Sequence, residues 1–153
     1  MQSFPSSKNE FLTGQTFLIN KPLGWSSFDV VKKIKYLIQK NKNIKKLKVG
    51  HAGTLDPLAT GLLIICTGKC TKKISEIQEK EKTYTGTITL GATTPSYDLE
   101  TKLDNNYETQ HITNSLIHQT AQHFLGEINQ TPPIFSALKK QVFFQKFFIL
   151  SKF

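Results

Sequence analysis

The chain contains no arginine: its 20 basic residues are all lysine, set against 11 acidic residues for a net charge of +9. Every bidentate contact that a guanidinium makes with a carboxylate or phosphate is therefore missing, and an anion can be met only by point charges on flexible stems. Cysteine is almost absent too. Cys66 and Cys70 are the only two, which excludes a disulfide framework. With no histidine nearby they make a poor zinc set, so they are read as reduced thiols with Cys66 in the core, and no metal is expected. There is no long hydrophobic run. The longest, Leu62-Leu63-Ile64-Ile65-Cys66, is far too short to span a bilayer. Residues 1–10 are polar and do not read as a signal peptide. The expectation is a cytoplasmic protein with no membrane partner.

What is present suits a folded domain. A chain of 153 residues with 38% hydrophobic and 20% charged residues is long enough for a real core and ordinary in composition. The basic excess favours a polyanion partner, because neutralising phosphates releases counterions; a bias towards lysine would give the same charge. Residues 1–13 are read as a flexible segment. A strand is expected over 15–20, ending at the turn Lys21-Pro22-Leu23-Gly24. A helix follows, capped by Ser26 or Ser27 with Asp29 in its first turn, and running to about Lys40. Its inward face carries Val30, Val31, Ile34, Leu37 and Ile38. Further on, 71–78 reads as a short helix. Residues 82–91 alternate and read as a half-buried strand with a threonine-rich outer face. Residues 92–106 form a long loop, and Thr113 caps a helix to Phe124 with Leu116, Ile117, Ala121 and Phe124 inward. Strands are expected at 126–130 and 134–138, split by Thr131-Pro132-Pro133.

The segment Gly50-His51-Ala52-Gly53-Thr54-Leu55-Asp56-Pro57-Leu58-Ala59-Thr60-Gly61 organises the rest. Three glycines and a proline in twelve residues exclude a regular helix, and Pro57 pushes the residues before it towards extended geometry. The apolar run that follows reads as a buried strand. Asp56 is thus a lone carboxylate on a constrained loop at the mouth of a buried strand. On residue type alone it is equally a reactive group held by a rigid scaffold or a turn aspartate bonded to its own backbone.

This segment closely resembles the catalytic motif of the TruB family of tRNA pseudouridine synthases. Asn20-Lys21-Pro22-Leu23-Gly24-Trp25-Ser26-Ser27 resembles the family's Lys-Pro motif, Lys82-Thr83-Tyr84 its second active-site strand, and Pro132-Pro133-Ile134-Phe135-Ser136-Ala137-Leu138-Lys139 its Pro-Ser-Ala-Leu-Lys segment. Four motifs in the right order, over residues 14–140, make the resemblance specific. It implies an α+β fold: part of a mixed, mainly antiparallel pseudouridine-synthase sheet flanked by helices. Residues 14–140 would be the N-terminal part of the catalytic domain, and the RNA-binding PUA-type domain of many members has no counterpart. The resemblance also implies an isomerase that breaks the C1′–N1 bond of the tRNA T-loop uridine, turns the flipped base and rejoins it through C5, with no cofactor. Asp56 matches the catalytic position, and a carboxylate can add to base or sugar as nucleophile. His51 matches the residue inserted where the base has left, and Tyr84 the ring that lies against the uracil. Lys21, Pro22, Gly53, Leu55 and Pro57 match residues that support the catalytic loop. His111, His118 and His123 match nothing. The implied partner is the T-arm stem-loop of tRNA, bound by a monomer.

From Lys32 to Lys48 there are eight lysines in seventeen residues and no acid. These form either a solvated helix face followed by a loop or an RNA-backbone surface beside the Asp56 loop. Two departures from the family pattern stand out. The family pairs its aspartate with an arginine from the downstream half, and this chain has none. Residues 141–153 hold five phenylalanines and no acid, glycine or proline. Alone they would read as an amphipathic membrane-surface tail; beside the family they read as an aberrant tail after a frameshift or premature end. The alternative expectation is therefore a catalytically inactive truncated remnant that only binds RNA.

Overall fold

The computed structural model of the chain describes residues 7–130 and 143–147. Two compact units divide it, Met1–Tyr84 and Thr85–Phe153. The architecture is α+β, with every strand pair among the described residues antiparallel.

The first unit is built on a three-stranded sheet. Strands β1 (Thr16–Lys21) and β2 (Val49–Ala52) flank β3 (Gly61–Thr67). The register sets Phe17 and His51 opposite Ile65, and Ile19 opposite Leu63. Because side chains alternate along a strand, Phe17, Ile19, Val49, Leu63 and Ile65 share one face. Helix α2 (Ser27–Lys42) covers it with Val30, Val31 and Ile34. The start of α2 is written locally. Ser26 Oγ accepts from the Asp29 N–H at 3.1 Å, while the Asp29 carboxylate accepts from the Ser26 N–H at 3.1 Å and its hydroxyl at 2.5 Å. This reciprocal cap satisfies two of the helix's orphan donors. The helix ends at Asn43, which takes left-handed geometry (φ 49°, ψ 51°) and bonds its N–H to Gln39 O, a conformation asparagine tolerates. Leu37, expected inward, is exposed.

Residues 8–13 correct the expectation of a flexible segment. They form helix α1 (Lys8–Thr13), capped reciprocally by Ser7 and Glu10. Phe11 is 1% exposed and packs with Ile38, Ile44 and Leu47, so one buried ring anchors an otherwise polar stretch. After β3 come a 3₁₀ helix (Gly68–Lys73) and α3 (Ile74–Gln78), in line with the short helix expected there.

The strand expected over 82–91 is not formed: residues 81–89 have no regular structure and 81–90 are exposed. Alternation supplies a face but not a neighbour, and a strand exists only as part of a paired ladder. Among the described residues none pairs with 82–90.

In the second unit the loop 92–106 is closed by a two-residue ladder of β4 (Ala92–Thr93) on β5 (Asn105–Asn106). Helix α4 (Asn114–Gln122) is capped by Thr113, whose side chain accepts the Leu116 N–H at 3.2 Å. Its expected inward face is corrected, since Leu116, Ile117 and Phe124 are exposed. Strand β6 (Gly126–Gln130) forms as expected and pairs with β7 (Phe143–Phe147), Gly126 opposite Phe147. Part of the segment read as an aberrant tail therefore forms a strand. The expected strand 134–138 and its Pro-Ser-Ala-Leu-Lys motif lie outside the described residues.

Candidate active site

The Asp56 loop is tied to the end of β1 and the start of α2. Lys21, the last residue of β1, is completely buried. Its ammonium donates to Pro22 O at 3.1 Å, Trp25 O at 2.5 Å and Pro57 O at 3.3 Å. An ammonium has three donors and no acceptor capacity, so three carbonyls satisfy it, and among the described residues it has no counter-ion. Gly24 adopts positive φ (+79°) in the turn after Pro22, and its N–H donates to Pro57 O at 2.8 Å. Ser27, also buried, makes two bonds to one residue: its hydroxyl donates to Leu55 O at 3.1 Å and accepts from Leu55 N–H at 2.9 Å. Ala59 N–H closes the turn on Asp56 O at 3.0 Å.

The backbone is therefore held on both sides of Asp56, by Ser27 at Leu55 and by Lys21 and Gly24 at Pro57. The side chain itself is exposed, and among the described residues its carboxylate has no hydrogen-bond or ion-pair partner. The self-bonded turn aspartate that residue type alone allowed is not what forms. A fixed backbone with an unengaged carboxylate is an arrangement that presents a nucleophile or base to a ligand.

His51 lies on β2 rather than on the loop. Strand β2 was not expected, and it exists because Val49 to Ala52 pair with β3. The half-buried imidazole has Nδ1 at 2.6 Å from Gly53 O. A carbonyl only accepts, so Nδ1 carries the proton, and among the described residues Nε2 has no partner. Gly53 (φ +99°) turns the chain out of β2, and a Cβ there would lie 3.9 Å from Lys82 Cε. Lys82 thus runs beside the start of the loop, its ammonium bonded to Gln78 O and Lys80 O. Tyr84, at the end of the first unit, is 69% exposed. Among the described residues no hydrogen bond or ring contact joins it to His51 or Asp56.

Lys21 thus bonds Pro22 and Pro57 while Ser27 bonds Leu55, so hydrogen bonds hold the chain on both sides of Asp56, with Gly53 at the entry to the loop and no such bond to Tyr84 among the described residues. Sequence reading missed the Ser27 clamp. The signal was there in Trp25-Ser26-Ser27, where the helix needs one serine as its cap and the other is free for a second task. Of the two readings of the lysine run, the one that set it beside the Asp56 loop does not hold from Lys35 onward. Helix α2 begins at Ser27, against Leu55, and its 16 residues carry the chain ~24 Å along the axis at 1.5 Å per residue. Lysines 35 to 48 therefore gather towards the far end of the sheet.

Comparison with known proteins follows the same lines. The profile of the TruB family pseudouridylate synthase (N terminal domain) matches residues 39–143. A tRNA pseudouridine synthase B of Flavobacterium johnsoniae is 64% identical over 132 residues, 86% of this chain and 58% of that protein. Its counterpart in Bacteroides thetaiotaomicron is 58% identical over 127 residues, 83% of this chain and 53% of that protein. The chain thus spans about half the length of the curated relatives it matches. The fold is similar to that of a chain in the crystal structure of a Cbf5-Nop10-Gar1 complex, with a TM-score of 0.57 and 25% identity over 91% of this chain and 35% of that one.

Proposed function

The chain belongs to the TruB family of pseudouridylate synthases, and we propose that it is an isomerase converting the T-loop uridine of tRNA to pseudouridine, with Asp56 as the nucleophile. The observation that carries this is the clamped loop with its unengaged carboxylate. In the reaction the C1′–N1 bond breaks while Asp56 holds the base or the sugar through a covalent adduct. The uracil turns, C5 bonds to C1′, the adduct bond breaks to return the Asp56 carboxylate, the C5 proton leaves to solvent and N1 takes one up. Atoms balance without a cofactor or a second substrate.

The remaining residues have supporting parts. The Nε2 of His51 and its flat ring suit the space left by the extruded base, whose unstacking costs a few kcal/mol. Tyr84 offers an exposed ring at the end of the first unit for the flipped uracil to stack on. Lys21, Pro22, Gly53, Leu55 and Pro57 hold the loop in shape. The partner is the T-arm stem-loop, bound by one copy of the chain.

The test is incubation of the full chain with a T-arm stem-loop, followed by nucleoside chromatography. Conversion by the wild type and none by Asp56→Asn is the expected result. Full conversion by Asp56→Asn would remove the nucleophile assignment. A second reading has its own observation: the sequence has no arginine, and Asp56 has no cationic partner among the described residues. Poor orientation of a catalytic group lowers rate by orders of magnitude. On that reading the chain binds the stem-loop and converts none of it.

A further inference from the structure

The far end of the first unit, away from Asp56, holds a cavity of about 600 Å³ with no acidic residue in its wall. Six lysines line it from three separate elements: Lys35 on α2, Lys45, Lys46 and Lys48 on the α2–β2 connection, and Lys69 and Lys72 on the 3₁₀ helix. All six are exposed, and among the described residues none pairs with a carboxylate.

The wall is held in place by backbone bonds. Gln39 Nε2 donates to Lys45 O at 2.9 Å, tying the connection to α2, and Gly68 N–H donates to Lys48 O at 2.9 Å, tying it to the 3₁₀ helix. Gly68 itself sits at positive φ (+53°), where a Cβ would fall 2.2 Å from Leu12 O. No other residue type allows so close an approach there. The cavity lies where Val49 pairs with Thr67, while Asp56 follows the opposite end of β2. The seven residues of β3 separate the two ends by ~20 Å at about 3.4 Å per residue.

We propose that this cavity seats the phosphodiester backbone of RNA as a second contact, remote from the reacting base. The proposal rests on the reading that the chain acts on RNA. Six like charges gathered on three elements repel one another, and a polyanion relieves that repulsion. Near neutral pH a single phosphate carries at most about two charges, whereas a strand brings one per nucleotide and so matches the spread of lysines. Ammonium groups are point charges without the guanidinium fork, which suits backbone contacts that position a strand without reading its sequence.

The test compares two double variants of equal charge in the full chain. Lys46→Gln/Lys72→Gln removes two cavity charges, and Lys33→Gln/Lys102→Gln removes two charges elsewhere. Affinity for a T-arm stem-loop is measured by fluorescence anisotropy over a salt series, with inorganic phosphate as competitor. Each lost phosphate contact lowers the slope of log K against log salt by about 0.7–0.9. The cavity variant is expected to lose about 1.5 in slope and about tenfold or more in affinity at 0.1 M salt, and the other variant much less. Equal losses in the two variants, or none in either while the wild type binds, would overturn the cavity assignment and leave the proposed function standing. Loss of phosphate competition in the cavity variant with RNA affinity intact would make the cavity a small-anion pocket instead. A wild type that binds no stem-loop at all would remove both readings.

Discussion

The two units of this chain carry similar local signals and reach different ends. In Met1–Tyr84 one face of the sheet meets α2, and every buried hydrophobic residue among those described, from Phe11 to Cys66, falls there, although Leu18 and Leu62 on the opposite face stay exposed. In Thr85–Phe153 the only buried residue among those described is Thr94, while Ile88, Leu99, Leu103, Leu116 and Phe124 stay exposed. Yet the second unit has a capped helix, paired strands and an alternating segment of its own. Local propensity writes elements in both. Burial, which supplies most of the favourable free energy of folding, is concentrated in the first among the described residues, and the Asp56 loop is built on that one.

Core truncation breaks this comparison most strongly. Leu63→Ala or Phe11→Ala should cost about 2–5 kcal/mol through lost transfer energy and a residual cavity. Ile88→Ala or Leu99→Ala should change stability by less than about 0.5 kcal/mol. Urea unfolding of the four variants measures the contrast, and similar losses in both pairs would mean that the second unit is packed after all. Next in size is Lys21→Met, which keeps the volume and removes the donors to Pro22, Trp25 and Pro57. Pro57 O keeps the Gly24 N–H and Pro22 O the Trp25 N–H, so Trp25 O is the carbonyl left without a partner among these three, at about 1–3 kcal/mol unless water reaches it. A lowered melting temperature together with reduced uridine conversion is expected; unchanged values for both would show that Lys21 does not hold the loop.

The neighbouring serines sharpen the comparison within the first unit. Ser26→Ala removes a cap and should cost about 1 kcal/mol. Ser27→Ala removes both bonds to Leu55 inside the protein, at about 1–3 kcal/mol, and it alone should depress conversion more than stability accounts for. Paired melting and turnover measurements separate the two. The smallest effect is electrostatic. The Ser26 hydroxyl and N–H hold the Asp29 carboxyl below its ordinary range. Its stabilising contribution is therefore present above the unfolded pKa and fades as pH falls through the lower folded value. A carboxyl titration by NMR should find Asp29 below the usual aspartate range, and Ser26→Ala, which keeps the N–H, should move it part of the way back.

How much of this was legible in the sequence follows from what each feature depends on. Helix α2 was legible because its signals are local: Ser26 and Asp29 three apart, then an apolar stripe. Strand β3 was legible as a short buried run bounded by glycine. Strand β2 was not, because Gly50-His51-Ala52 has no pattern of its own and becomes a strand by pairing with Ile64 to Cys66. Phe11 was missed because two adjacent apolar residues, Phe11 and Leu12, in a polar stretch have no periodicity, although the burial of Phe11 decides that α1 is held. The alternation of 82–91 was read correctly as a pattern, but a pattern does not provide a partner. At the site, the loop and Asp56 were visible from residue type and from the family resemblance. The Ser27 bonds to Leu55 span 28 positions and follow only from the packing of α2 on the sheet. The lysine run was visible as charge, and the length of α2 decided where that charge goes.

The central claim is that Asp56 stands on a loop fixed by the folded first unit. Residue-resolved amide hydrogen exchange on the full chain tests it most directly, because protection reports local opening free energy. The amides of Leu55 and Gly24, which donate to Ser27 Oγ and Pro57 O, should show protection near that of β3 and well above that of residues 85–90. Exchange at Leu55 and Gly24 as fast as at 85–90 would contradict the claim, since the carboxylate would then ride on a loop that the core does not hold.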